Sequence, residues 1–92
     1  MKESGVESHL FSRIRRIGGE CLKFVSPGRA GVTDRIVILP GGEVVWVETK
    51  RPKGGRLSPG QVRFHMRMRE LMQEVKVLYT KDAVDKQFPI ET

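Results

Sequence analysis

The fold is decided by Asp34-Arg35-Ile36-Val37-Ile38-Leu39-Pro40-Gly41-Gly42-Glu43-Val44-Val45-Trp46-Val47-Glu48-Thr49-Lys50. Two runs rich in β-branched residues, Asp34 to Leu39 and Glu43 to Lys50, flank Pro40-Gly41-Gly42, which predicts two strands joined by a tight turn. With the turn centred on Gly41, Asp34 stands as far before it as Glu48 stands after it, so the two face each other across the ladder. Strand alternation puts Glu48 and Lys50 on one face, about 7 Å apart. Facing carboxylates repel unless a cation lies between them. A divalent ion is the natural candidate, and carboxylate oxygens suit Mg²⁺ or Mn²⁺. Such an ion activates water and neutralises phosphodiester charge, while a neighbouring lysine orients the water or offsets developing charge. The plainer reading, ordinary charged strand ends, fits each residue singly but not the joint spacing of Asp34, Glu48 and Lys50 around one turn.

Outward from the hairpin, Val6, Leu10, Ile14 and Ile17 form one apolar stripe, which predicts a helix from Ser4 to Ile17, stopped by Gly18-Gly19. Glu7 falls near that stripe and would seek a partner at the site; alternatively, Ser4-Gly5-Val6-Glu7 is a capping box. Leu22 to Val25 reads as a first strand. Downstream, Lys50, Arg51, Lys53 and Arg56 make a basic loop. Ser58, Pro59 and Gln61 open a second helix running to about Glu74, and Gln61 either completes that cap or reaches the site. Val75 to Tyr79 reads as a fourth strand, and Thr80 caps a short helix, Lys81 to Lys86. The order α-β-β-β-α-β-α predicts an α/β fold with a mixed sheet flanked by helices.

The 92 residues suit one domain, 1–92. Lysine and arginine number 17 against 11 acidic residues, a net charge of +6 that points to nucleic acid first and an anionic membrane surface second. No apolar run approaches the ~20 residues of a membrane span, and the N-terminal residues have no signal-peptide pattern. A single cysteine, Cys21, excludes an internal disulfide and a cysteine zinc cage. His9 and His65 lack metal-pair spacing and are expected to be solvated or interfacial; Trp46 is expected in the core. Arg13, Arg15 and Arg16 end the first helix, and Arg63, Arg67 and Arg69 line the second. With the loop cations, Arg13, Arg16, Arg51, Lys53, Arg56 and Arg63 are candidate contacts to a DNA backbone.

Taken together, Gly31-Val32-Thr33-Asp34-Arg35, Glu48-Thr49-Lys50-Arg51-Pro52 and Leu57-Ser58-Pro59-Gly60-Gln61 resemble the PD-(D/E)XK nuclease superfamily, and within it the virus-type replication-repair nuclease (VRR-NUC) family. The resemblance runs from Glu7 through the fourth strand. It implies a restriction-endonuclease-like αβββαβ core, Mg²⁺- or Mn²⁺-dependent DNA cleavage, and kinship with Holliday-junction resolvases. It also implies that Asp34 and Glu48 are metal ligands, completed by the Thr49 backbone carbonyl, and that Lys50 is the catalytic lysine. Glu7 matches the acidic residue of the family's first helix, a candidate further ligand, and Gln61 the glutamine of its second core helix. Thr33 departs from the proline in the superfamily's name. So short a domain is expected to cut branched DNA structure-selectively as a homodimer in replication, recombination or repair, with a possible replication or repair partner, in the cytoplasm, the host's if viral or phage. The competing expectation is a non-catalytic nucleic-acid-binding module.

Overall fold

The computed structural model describes residues 5–90. Its elements are α1 (Gly5–Ile17), β1 (Glu20–Lys23), β2 (Arg35–Ile38), β3 (Val44–Thr49), α2 (Pro59–Glu70), β4 (Glu74–Leu78) and α3 (Lys81–Gln87). The element order is the one expected. Ser4, the expected cap of α1, lies outside the described residues.

The four strands lie in the sheet in chain order, β1-β2-β3-β4. The first two pairings are antiparallel, and β3 pairs with β4 in parallel after the α2 crossover. Opposite Arg35 stands Val47 and opposite Ile36 stands Trp46, the register deduced from a turn centred on Gly41. The turn closes by Gly42 N donating to Leu39 O at 3.0 Å and Leu39 N donating to Glu43 O at 2.8 Å. Gly41 and Gly42 both take positive φ, which glycine adopts without steric cost.

Alternation along the strands divides the apolar residues between two faces. Cys21, Val37, Val45, Val47 and Leu78 pack against Val6, Leu10 and Ile14 of α1 and Val84 of α3, with Phe88 closing the core. On the other face Trp46 meets Phe24 and Phe64 edge-to-face, each at 6.1 Å between ring centroids. Trp46 is thus half-buried between rings rather than sealed in the main core. Because α2 packs on β4, Leu22, Ile38 and Val44 on the β1–β3 side of that face stay exposed.

β1 and α2 depart furthest from expectation, the other strands by one residue at each end. β1 begins at Glu20, directly after the glycine stop, because pairing with β2 runs from Ile38 back to Arg35. α2 ends at Glu70 rather than near Glu74: Leu71 caps it, and Met72 takes the left-handed conformation (φ 65°) usual for glycine. No helix among the described residues is long and apolar enough to cross a membrane.

Candidate active site

β2 begins and β3 ends at one edge of the core, and this brings the candidate residues together. One register step beyond the Arg35–Val47 pair sets Asp34 opposite Glu48. Here a cavity of about 340 Å³ is lined by Glu7, Asp34, Thr49, Lys50, Arg51, Gly54, Gly55 and Arg56. α1 supplies Glu7; the β2–β3 hairpin supplies the rest of the acidic cluster; the loop after β3 supplies the cations. Gly55 permits that loop to fold back, since a Cβ there would lie 2.4 Å from the Arg51 carbonyl oxygen. Arg56 returns to the cavity by this route.

Glu48 is 4% exposed and does not itself line the cavity. Burial, then the Asp34 charge, pushes its carboxyl up to about 7, against the opposing pull of Lys50. Asp34 is also raised, by burial and then by Glu7, while hydrogen bonds from Thr49 act to lower it. The Thr49 hydroxyl donates to Asp34 Oδ2 at 3.2 Å. Asp34 Oδ1 and Glu48 Oε1 are buried and have no hydrogen-bond partner among the described residues. Orphaned carboxylate oxygens in a low-dielectric pocket are costly unless a cation or proton satisfies them.

These donors fit a hard divalent ion. Among the described residues no three His, Cys, Asp or Glu side chains converge into a complete cage. Mg²⁺ takes one or two carboxylates and keeps its remaining positions for water and substrate phosphate. The orphaned oxygens of Asp34 and Glu48 match that requirement.

The remaining candidates are placed unequally. Glu7 Oε2 accepts from Arg35 Nε at 3.1 Å. Gln61 serves the α2 cap: its Oε1 accepts from Ser58 N at 2.8 Å and its own N–H donates to Ser58 Oγ at 3.1 Å. Arg51 and Arg56 line the cavity, whereas Lys53 and Arg63 are exposed and outside its lining. Arg13 is bound to Asp85 at 3.2 Å and to the Phe88 carbonyl at 2.9 Å, clamping α3 to α1. Arg16 borders a separate cavity beside Pro40 at the hairpin-turn end.

Sequence reading missed three features. Arg35 is buried, although its alternation with Val37 and Val45 across the hairpin carries the signal. His65 is buried at 1% exposure rather than solvated, because α2 turns it inward beside Phe64. Gly31 sits against Gly60, docking the β1–β2 loop onto the start of α2; a Cβ on Gly31 would lie 2.5 Å from the Gly60 carbonyl oxygen. No local signal announces that contact.

No protein-family model matches the sequence. The chain is 48% identical over 82 residues to a protein named "Putative nuclease p44" from Acyrthosiphon pisum secondary endosymbiont phage 1, covering 89% of this chain and 87% of the phage protein. Its structure is similar to a solved structure described as a VRR_NUC domain, with a TM-score of 0.83 and 34% identity over 88% of this chain and 87% of that one.

Proposed function

Because the chain belongs to the VRR-NUC family of nucleases, we propose that its cavity hydrolyses phosphodiester bonds in DNA with the help of Mg²⁺ or Mn²⁺. The observation that carries this reading is the pair of buried, unpartnered oxygens, Asp34 Oδ1 and Glu48 Oε1. Asp34, Glu48 and the Thr49 backbone carbonyl would hold the ion, with Glu7 as an outer member of the cluster. When bound, the ion supplies an acidified water and charge neutralisation at the phosphate.

The chain's own groups do the rest. Lys50 presents its ammonium to the phosphate as negative charge develops and orients the attacking water. Arg51 and Arg56 on the cavity wall grip flanking phosphates, and the exposed Lys53 and Arg63 meet phosphates farther along the backbone. Gln61 keeps Oε1 on its cap, so its amide nitrogen is the group that contacts substrate. Arg13 and Arg16, one to three turns along α1 from Glu7, meet only a DNA arm that runs along the helix.

The substrate of this proposal is branched DNA, cut by structure rather than sequence. The exposed Leu22, Ile38 and Val44 support a homodimer, whose two sites would match the two-fold symmetry of a junction. The reading places the domain in a cytoplasm, that of a host cell for a phage protein, with a replication or repair protein delivering it to junctions. The test is cleavage of labelled duplex, single strand, flap and four-way junction with Mg²⁺, Mn²⁺ or EDTA, beside Glu48→Ala. Metal-dependent cutting lost in the variant supports the reading; binding without cutting under every metal replaces it with a non-catalytic module.

A further inference from the structure

Arg51 faces the α1 and α3 side of the sheet, where it borders a further cavity with Val6 and Lys81. The α2 side carries a cation of its own. Arg29, in the loop between β1 and β2, stands over the Phe64 ring, with 5.3 Å from its guanidinium carbon to the ring centroid. Phe64 is fixed beneath it, buried and edge-to-face with Trp46 at 6.1 Å. The loop is fixed as well, because Gly31, two residues on, lies against the Gly60 main chain. A Cβ built on Gly60 would lie 4.0 Å from Gly31 Cα and 3.8 Å from Arg63 Nη2, so Arg63 reaches back toward the same loop. Two guanidinium groups thus gather at the first turn of α2. No carboxylate pairs with either among the described residues, and the stretch 24–33 contains no acid. Gathering like charges without a counter-charge does not serve stability, and a stacked cation at an exposed site returns little. Stacking does hold the side chain still while leaving the N–H edge of the guanidinium free, which suits an anion with several oxygens.

Resting on the DNA-cleavage reading above, we infer that Arg29, with Arg63 beside it, is a second phosphate-gripping site, which holds the DNA backbone on the α2 side of the sheet while Arg51 holds it on the α1 side. Asp34 and Glu48 belong to the sheet between them. A strand gripped on both sides is drawn across those acids, and this fixes which phosphate meets them. The stacked Arg29 loses little rotamer freedom on binding, so its contact costs less to form than one made by a loose surface lysine.

Fluorescence anisotropy with a short labelled duplex tests this, in EDTA so that nothing is cut and over a series of salt concentrations, using Arg29→Met, Arg29→Lys, Arg51→Met and Arg15→Met. Methionine keeps an unbranched stem over the ring and removes the charge. Arg15 is stacked on Phe11 of α1 at 5.7 Å and serves as the control. Arg29→Met is expected to weaken binding by about three- to tenfold and to flatten the log–log salt dependence by about 0.9, the share of one phosphate contact, whereas Arg29→Lys keeps the slope. Arg15→Met is expected to change neither. Arg29→Met that binds with the original affinity and slope, while Arg51→Met loses both, overturns the inference and leaves the cleavage reading standing. A slope flattened equally by Arg29→Lys, or by Arg15→Met, also overturns it, since loop packing or net charge then explains the loss. No binding by the starting protein, or binding that none of the variants alters, removes the DNA reading of the cavity itself, and this inference with it.

Discussion

The Thr49 hydroxyl donates to Asp34 Oδ2 at 3.2 Å, tying the last residue of β3 to the residue that precedes β2. This bond turns one carboxylate oxygen toward the chain and leaves Oδ1 without a partner among the described residues. Thr49→Val keeps the β-branched shape and removes the donor. Metal affinity is expected to fall about tenfold, the usual loss for a group that orients a ligand. Calorimetry checks it; unchanged affinity means the bond does not set the Asp34 geometry.

Lys50 lines the cavity and opposes the raised pKa of Glu48. Lys50→Ala is expected to lower the single-turnover cleavage rate by about 10²- to 10³-fold, as for removal of one transition-state donor. Junction affinity, measured by mobility shift, should stay within a few-fold, because on this proposal the arginines of the following loop would still hold the phosphates. A variant that cuts at the original rate removes Lys50 from the chemistry.

The raised carboxyl of Glu48 has a definite consequence for stability. Its ionised form is disfavoured in the folded chain, so its contribution is complete below the unfolded value of 4.5 and is lost as pH rises through about 7. Asp34 shifts in the same direction. Metal-free protein should therefore melt lower at pH 8 than at pH 5, with Mg²⁺ recovering the loss most fully at pH 8. Glu48→Gln should flatten the metal-free profile.

His65 shifts the other way, lowered by burial first and then by the charges of Arg69 and Lys50. Both ring nitrogens are buried without partners among the described residues. The stability it contributes is present above the unfolded value of 6.5 and is lost as pH falls below it. His65→Leu removes the unsatisfied nitrogens; chemical denaturation should show about 1 kcal/mol of added stability, growing below pH 6. A destabilised variant with an unchanged pH profile assigns the ring a packing role instead.

Gly31 and Gly41 share a positive φ but not an environment. A Cβ on Gly31 (φ 87°) meets the Gly60 carbonyl oxygen at 2.5 Å, while one on Gly41 (φ 98°) meets nothing within 4 Å. Gly41→Ala should cost about 1 kcal/mol of backbone strain, and Gly31→Ala at least ~2 kcal/mol more, because the atoms facing it, Gly60 O, Gly60 C and Gln61 N, all belong to main chain. Equal losses by denaturation would show that the β1–β2 loop yields freely over α2.

The hairpin was legible from its residues because a short glycine turn fixes register, and register fixes which side chains face each other. Asp34, Glu48 and Lys50 could thus be grouped without coordinates. The end of α2 was not legible, since Met72 supplies a left-handed turn where no glycine marks it. The Glu7–Arg35 pair joins residues far apart in sequence, and the capping-box spacing at Glu7 gave no hint of which partner it takes. Likewise, the inward turn of His65 depends on how α2 settles on β4, a matter of tertiary packing that helical spacing alone does not decide.

The strands that lie side by side are also neighbours along the chain. Within the β2–β3 hairpin the pairing is local and favours rapid folding, because little loop entropy is lost before each new contact forms. Yet zipping β2 against β3 drives Asp34 toward Glu48, so the acids that would serve catalysis resist the step that builds the sheet. The refolding rate should then climb as those carboxyls become protonated, making the time course of folding a record of the charge that the active site carries.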